Sequence, residues 1–469
     1  MFTLNDILQG NRDKVHLQSS VSPDPAMTFH EAHHDSRLIE RGGLFVAIKG
    51  AHVDGHQFIP AVARAGAGAV LCTQPSSEVP PDFLQIVVPD TIQALDATAR
   101  VRAARQQNTI FIGITGSNGK TSTKEATAAV LSRQAPTLKT FASYNNEVGY
   151  PLTLLRLEPQ HRYAVLEMGA QWVGELAWLS NTIARPDWSI ITNVGAAHLE
   201  YFGSQERVAV AKSELVKVLT PQGIAILNYD DPYVRDMAAQ TDARVLFYGL
   251  GEGAEVCGSD IAGDTLGGRS LTLHYNGQQK RVQLHIPGSH GVMMALAAAA
   301  AGCAAEMQLD DICTALESLS PARGRGEIKA GPNGSILIDD TYNANPQSMQ
   351  AALQCLRHTR VAGRRLAVLG DMLELGERSP ALHEEVGVLV AQSGVQELIT
   401  FGPLAQHIAQ GAQGTGMSTA CIHTTTQPED AVALLRSLRR AGDVMLLKGS
   451  RGMAMERLVQ ALTEPEGDG

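Results

Sequence analysis

A chain of 469 residues exceeds what one hydrophobic core normally organises, so two to four domains are expected. Hydrophobic residues at 44% with 18% charged exclude an intrinsically disordered chain. Thirty-eight Lys and Arg against 48 Asp and Glu leave a net charge of −10. That disfavours nonspecific nucleic-acid binding as the main task, while a local basic pocket for anionic substrates stays open.

In chain order, the opening MFTLNDILQGNRDKV lacks the charged-then-apolar layout of a signal peptide. HEAHH at His30–His34 matches the zinc-protease pattern H-E-x-x-H through His30, Glu31 and His34. That chemistry needs both histidines on one helix face. Pro23 and Pro25 upstream and HDSR downstream deny it an apolar helix stripe, so a polar loop or strand edge is expected. LFVAIKG from Leu44 reads as a strand, QFIPAVARAGAGAVLC as helix, loop and strand, and LQIVVPD as a strand ending near Asp90. TIQALDATARVRAARQQ then has helical spacing.

FIGITGSNGKTSTKEATAAVL from Phe111 is an apolar strand, a glycine turn and a helix. The strict P-loop pattern G-x-x-x-x-G-K-[ST] needs glycine at 114, where the chain has Ile114. The tail Gly119-Lys120-Thr121 fits, and Gly116 supplies an extra glycine. Backbone amides and a helix N-terminus make a phosphate cradle. Lys120 would reach the terminal phosphates and Thr121 a Mg²⁺ ion. The loop alone leaves the fate of the phosphate open, although the guanine-reading N-K-x-D tetrapeptide is missing.

YAVLEMG, WSIITNV, GIAILNYDD and RVLFYGLG alternate with helical segments, which implies a mainly parallel sheet covered on both faces. Glu167 ends the first of these strands, a good place for a carboxylate to meet a metal. His198 follows the second, and Lys212 lies in VAVAKSELV. Taken singly, each reads as easily as a solvated or structural residue. SLTLHYNGQQKRVQLHIPG alternates apolar and polar around NG, a hairpin signal. GVMMALAAAAAGCAA from Gly291, at 15 residues, is short for a membrane span and reads as a buried helix. SILIDDTYNANP, RLAVLGDM, ELITFG and VMLLKGSRG outline a second open α/β sheet. Cysteines 72, 257, 303, 313, 355 and 421 are scattered, as expected for reduced, mostly buried thiols of a cytoplasmic protein.

Taken together, GITGSNGKTSTKE, YNNEVGYPLTLLRL, EMGA, NVGAAHLEYFGS and AKSEL resemble the Mur ligase family of ATP-dependent amide-forming enzymes. DDTYNANPQSM, LGDMLELG and KGSRGMAMERLV resemble its branch that adds D-alanyl-D-alanine, and DSRLIERGGLFVAIKGAHVDGH resembles that branch's UDP-sugar-binding domain. The resemblance covers nearly the whole chain. It implies an α/β protein of three domains: a small UDP-sugar-binding domain at 1–90, a central P-loop ATP-binding domain with a parallel sheet at 91–321, and a Rossmann-like ligase domain at 322–469.

The activity implied is ATP-dependent joining of D-alanyl-D-alanine to UDP-N-acetylmuramoyl-tripeptide through an acyl phosphate, in a monomer without nucleic-acid or membrane-spanning parts. Rival readings are a sister ligase, a folylpolyglutamate-type synthetase, or a nucleotide-binding paralogue without catalysis. By resemblance, Gly116, Ser117, Asn118, Gly119, Lys120, Thr121 and Ser122 cradle phosphate. Asn145 and Asn146 line the phosphate and metal region. Thr121 and Glu167 bind one Mg²⁺, His198 helps hold a second, and Lys212 is the lysine that such ligases carbamylate, which requires a depressed pKa. Arg325 approaches the phosphates, Asp340 contacts the ribose, and Tyr342 and Asn343 lie beside it. Ser36, Arg37, Lys49, Asp54 and His56 are the candidates around the UDP moiety. One departure stands out: where the family shows H-N-x-x-N before ALAA, this chain has Gly291 and Met294. Three domains around one site imply closure on the ligands.

Overall fold

The structure is a computed structural model that describes residues 1–50, 53–195, 199–263 and 266–463. Three larger sheets divide the chain. The first has five strands, ordered His16–Gln18, Leu84–Val87, Ala69–Cys72, Leu44–Val46 and Ala32–His33, parallel except for the first pair. HEAHH is the loop and edge strand of this sheet rather than a helix, so His30 and His34 cannot share a helical face.

The central sheet has nine strands. The strand Ile110–Thr115 lies inside it, flanked by Tyr163–Glu167 on one side and Trp188–Ile191 on the other. The chain builds outward in both directions from that strand, which makes it the topological switch point where ligands of open α/β sheets bind. The missing loop glycine is explained here. Ile114 is fully buried inside the strand and pairs with Ile190 and Glu167, so the turn starts only at Gly116. The hairpin Arg269–Tyr275 and Gln278–Leu284 turns at Asn276 and Gly277, both at positive φ (49° and 77°) as the tight hairpin turn demands. It extends the parallel sheet with antiparallel strands through Val256–Ala262, a strand the residue pattern did not suggest.

The alanine-rich segment forms the helix Gly288–Ala304, with Ala297 through Ala301 fully buried. Small side chains let it lie close against the P-loop helix Lys120–Ser132 and the sheet. No helix among the described residues is long and apolar enough to cross a membrane.

The third sheet has six strands, ordered Glu327–Ala330, Ile336–Asp339, Val444–Lys448, Arg365–Gly370, Glu397–Phe401 and Ile422–Thr425. All but the first pair are parallel. Its strand end Lys448 lines the same cavity as Lys120 and Thr121 of the P-loop, and the two sheets touch through the contacts described next. The six cysteines are unpaired with one another, as expected, although only Cys72, Cys303 and Cys313 are buried.

Candidate nucleotide and ligase site

The phosphate loop is shaped by two glycines. Gly116 has φ +148°, and a Cβ there would lie 1.9 Å from Thr192 Oγ1. Gly119 has φ +79° and opens the helix Lys120–Ser132, so its amides point out of the helix N-terminus. The loop is braced from the neighbouring strand end. Asn118 N–H donates to Asn193 Oδ1 (2.9 Å), Thr192 Oγ1 donates to Asn118 O (2.7 Å), and Gly195 N–H donates to Ser117 Oγ (2.8 Å). Lys120 folds back so that Nζ donates to Gly116 O at 2.7 Å. Desolvation lowers its pKa, the Glu167 carboxylate opposes that, and the Arg325 charge adds to it.

Next to the loop, Glu167 is 1% exposed at its strand end. Its Oε1 accepts from Thr121 Oγ1 (3.1 Å) and from Asn145 Nδ2 (2.7 Å). Its Oε2 is buried without a hydrogen-bond donor and faces Lys124 Nζ at 3.7 Å. Thr121 and Asn145 thus both engage Oε1, while Oε2 has only the Lys124 ammonium opposite it; the Glu167 carboxylate beside the Thr121 hydroxyl supplies hard oxygens that suit Mg²⁺. The two asparagines divide the work: Asn146 Oδ1 instead accepts from Gly149 N–H (3.0 Å) and shapes the turn into the next helix. Lys124, fully buried, also donates to Ala142 O at 2.5 Å and so ties Glu167 to the loop that carries Ser143 and Asn145. Its distance of one helical turn from Lys120 was the sequence signal that could have found it.

The carboxy-terminal sheet completes the site. Arg325 Nη2 donates to Thr121 Oγ1 (2.9 Å) and its guanidinium stacks on Tyr342 at 4.0 Å. Tyr342 OH donates to Ser143 Oγ (2.6 Å), and Asn345 Nδ2 donates to Asn118 Oδ1 (2.7 Å). At the strand ends, Lys448 Nζ binds Asp340 Oδ2 at 2.6 Å and Asn343 O at 2.9 Å. Burial lowers the pKa of His290, which faces Asp340 and Lys448. Ser143, Asn345, Lys448 and His290 were missed by pattern reading, because only the docking of the two sheets assembles them. These groups line one cavity of about 600 Å³, which also includes Ser122 and Asn146.

Lys212 sits on the helix Gln205–Lys217 and is 2% exposed. Burial, reinforced by Lys120, pushes its pKa down to about 7, against the pull of Glu175 and Glu214. A neutral amine near neutral pH is the state that carbamylation needs. His198 lies outside the described residues.

The amino-terminal candidates stand apart from that cavity. His56 Nδ1 pairs with Asp54 Oδ1 (2.6 Å), while Nε2 accepts from Thr73 N–H (3.0 Å). Lys49 and Asp54 face each other in an isolated bridge. Arg37 is exposed and paired with Asp35 (2.6 Å), and Ser36 beside it is half-buried. The neighbouring His34 ring packs 5.5 Å from Tyr144, which brings this loop next to Asn145.

A glycine turn between strand and helix at the switch point of a parallel sheet defines a P-loop protein of the doubly wound α/β class. Comparison with known families narrows this. Residues 28–107 match the Mur ligase family catalytic domain, 114–302 the Mur ligase middle domain, and 324–451 the Mur ligase glutamate ligase domain. The chain belongs to the Mur ligase family. It is 38% identical over 441 residues to the UDP-N-acetylmuramoyl-tripeptide–D-alanyl-D-alanine ligase of Escherichia coli (strain K12), covering 92% of this chain and 93% of that protein. The crystal structure of MurF from Acinetobacter baumannii superposes with TM-score 0.85 at 31% identity, covering 98% of both chains. The MurF ligase of Thermotoga maritima in complex with ADP gives 0.77 at 30% identity, covering 92% of this chain and 96% of that one.

Proposed function

We propose that this chain joins D-alanyl-D-alanine to UDP-N-acetylmuramoyl-tripeptide with ATP, releasing ADP and phosphate and supplying the pentapeptide precursor of peptidoglycan. The supporting observation is the convergence of Lys120, Thr121, Glu167, Arg325 and Tyr342, from two sheets, in one cavity. The relatives that share this sequence along nine-tenths of their length carry that ligase name.

In this reading the domains are 1–90, 91–321 and 322–469, acting as a cytoplasmic monomer. The γ-phosphoryl group leaves the β–γ bridging oxygen of ATP and bonds to an oxygen of the tripeptide's terminal carboxylate. The amine of D-alanyl-D-alanine then attacks the acyl carbon and gives up a proton, and phosphate departs with the electron pair of the broken C–O bond. Two anions must approach in the first step, so their repulsion has to be cancelled. Lys120 and Arg325 bring positive charge to the transferring group. Asp340 receives the ribose with Tyr342 and Asn343 beside it. Thr121 and Glu167 would hold Mg²⁺, which supplies charge neutralisation between γ-phosphate and carboxylate. Lys212, neutral by burial, would become an anionic carbamate directed at the same region, and the resemblance gives His198 to a second Mg²⁺. Ser36, Arg37, Lys49, Asp54 and His56 remain the proposed surroundings of the UDP moiety.

The test is phosphate release from ATP by purified protein with UDP-N-acetylmuramoyl-tripeptide and Mg²⁺, with and without D-alanyl-D-alanine. Release that needs every component, with a pentapeptide product by mass, is the expected result. Binding of the UDP-substrate without any phosphate release would leave only a paralogue that does not catalyse.

A further inference from the structure

The end of the cavity away from the P-loop is built differently from the phosphate end. The helix Pro346–His358 starts at the P-loop, where Gln347 Oε1 accepts from Asn118 Nδ2 (3.0 Å). It runs on to Cys355, about 12 Å further along the helix axis. There it faces the start of the alanine-rich helix, since a Cβ on Gly288 would lie 3.6 Å from Cys355 Sγ. Between the two helices the cavity wall is Ile286, Pro287, Met293, Met294, Ala351 and Ala352. On the ligase reading, a nucleotide with its phosphates at the P-loop and its ribose at Asp340 would have its base in this slot, which lines the same cavity.

The polar side chains nearest the slot are spent on the fold. Asn228 Nδ2 donates to Thr192 O (2.8 Å) and its Oδ1 accepts from Asp230 N–H (3.0 Å). Asn193 uses both ends of its amide on Asn118, and Tyr248 OH donates to Ile191 O (3.1 Å). His290 faces the Asp340–Lys448 pair on the ribose side. Position 291 has no room for a reading side chain, because a Cβ there would lie 2.9 Å from Ile286 O. Met294, 6% exposed, offers a thioether that packs on a flat ring and is only a weak acceptor.

We infer that this chain holds the nucleobase by shape and apolar contact between Met293, Met294 and Ala351, and therefore discriminates weakly between adenine and other purines. The inference rests on the ligase reading for its nucleotide site, and it adds that GTP and ITP serve as well as ATP to within an apolar pocket's selectivity. Such pockets separate near-isosteres by roughly 10–200-fold, whereas a site that hydrogen-bonds the distinguishing group reaches about 10⁴-fold or more.

The experiment is displacement of a fluorescent ADP analogue from the full chain by ADP, GDP and IDP, followed by kcat/KM with each triphosphate. ADP and GDP displacing within about 200-fold of each other is the expected result, and a larger gap overturns the inference. Failure of all three to displace would instead undo the nucleotide-site reading beneath it. Met294→Asn, checked for folding by its thermal midpoint, adds an amide to the slot and should change the ADP-to-GDP ratio at least about tenfold. An unchanged ratio in a folded variant removes Met294 from the base slot and overturns the assignment.

Discussion

At the phosphate end of the cavity, Thr121 and Asn145 meet on one oxygen of Glu167, and the other oxygen stays buried without a donor. On the amino-terminal domain, His56 gives one ring nitrogen to Asp54 and the other to Thr73. Both groups are polar clusters with short hydrogen bonds, yet they differ in what is left over. A buried oxygen with no hydrogen-bond donor, opposed only by the Lys124 ammonium 3.7 Å away, keeps lone pairs that a bound cation can use. A ring with both nitrogens engaged has already met its need and holds a loop in place. The first arrangement is prepared for a ligand, while the second is finished by the fold.

The largest test of that contrast is Lys120→Ala. Turnover should fall by about 10³-fold or more, because the group that offsets transition-state charge is lost. UDP-substrate affinity, read by calorimetry, should stay near its starting value. Normal turnover would remove the P-loop from the chemistry.

Next is Lys212→Ala, expected to cost about 10²-fold in kcat and to recover partly with added short-chain carboxylates, which restore the missing anion. Absence of rescue at any concentration would leave the carbamate without support. The pH dependence has a definite sign. Below about pH 7 Lys212 keeps its proton and cannot take up carbon dioxide, so activity should rise as pH passes upward through 7. The folded pKa lies below the ordinary 10.5, so the unfolded chain binds the extra proton between about 7 and 10.5. The contribution of this lysine to stability therefore rises with pH across that window, and denaturant midpoints measured at pH 7 and 9 check it.

A smaller effect is expected at the ribose end. Asp340→Ala should weaken ADP binding by roughly tenfold, since one charge-assisted contact is removed, with little change in KM for D-alanyl-D-alanine. The smallest functional effect belongs to His56→Ala. Its thermal midpoint should drop by a few degrees while KM for the UDP-substrate changes less than about threefold. A tenfold rise in KM with an unchanged midpoint would break the comparison and put the ring on the substrate.

Much of this was written locally in the chain. The strand, turn and helix of the P-loop are contiguous, so their period and their glycines were readable, as were the hairpin at Asn276–Gly277 and the buried alanine helix. The carboxylate of Glu167 was legible because a strand end at a sheet edge is a local property. What tertiary structure alone decided was which side chains share a cavity. Arg325 reaches Thr121 across 204 positions and Asn345 reaches Asn118 across 227, separations that no spacing rule encodes. It also decided that Lys212 gives up its proton around pH 7, because burial is set by what packs over a helix and not by the helix itself. Asn145 and Asn146 are adjacent and identical in type, yet only the packing of the next strand and helix sends one to Glu167 and the other into a turn.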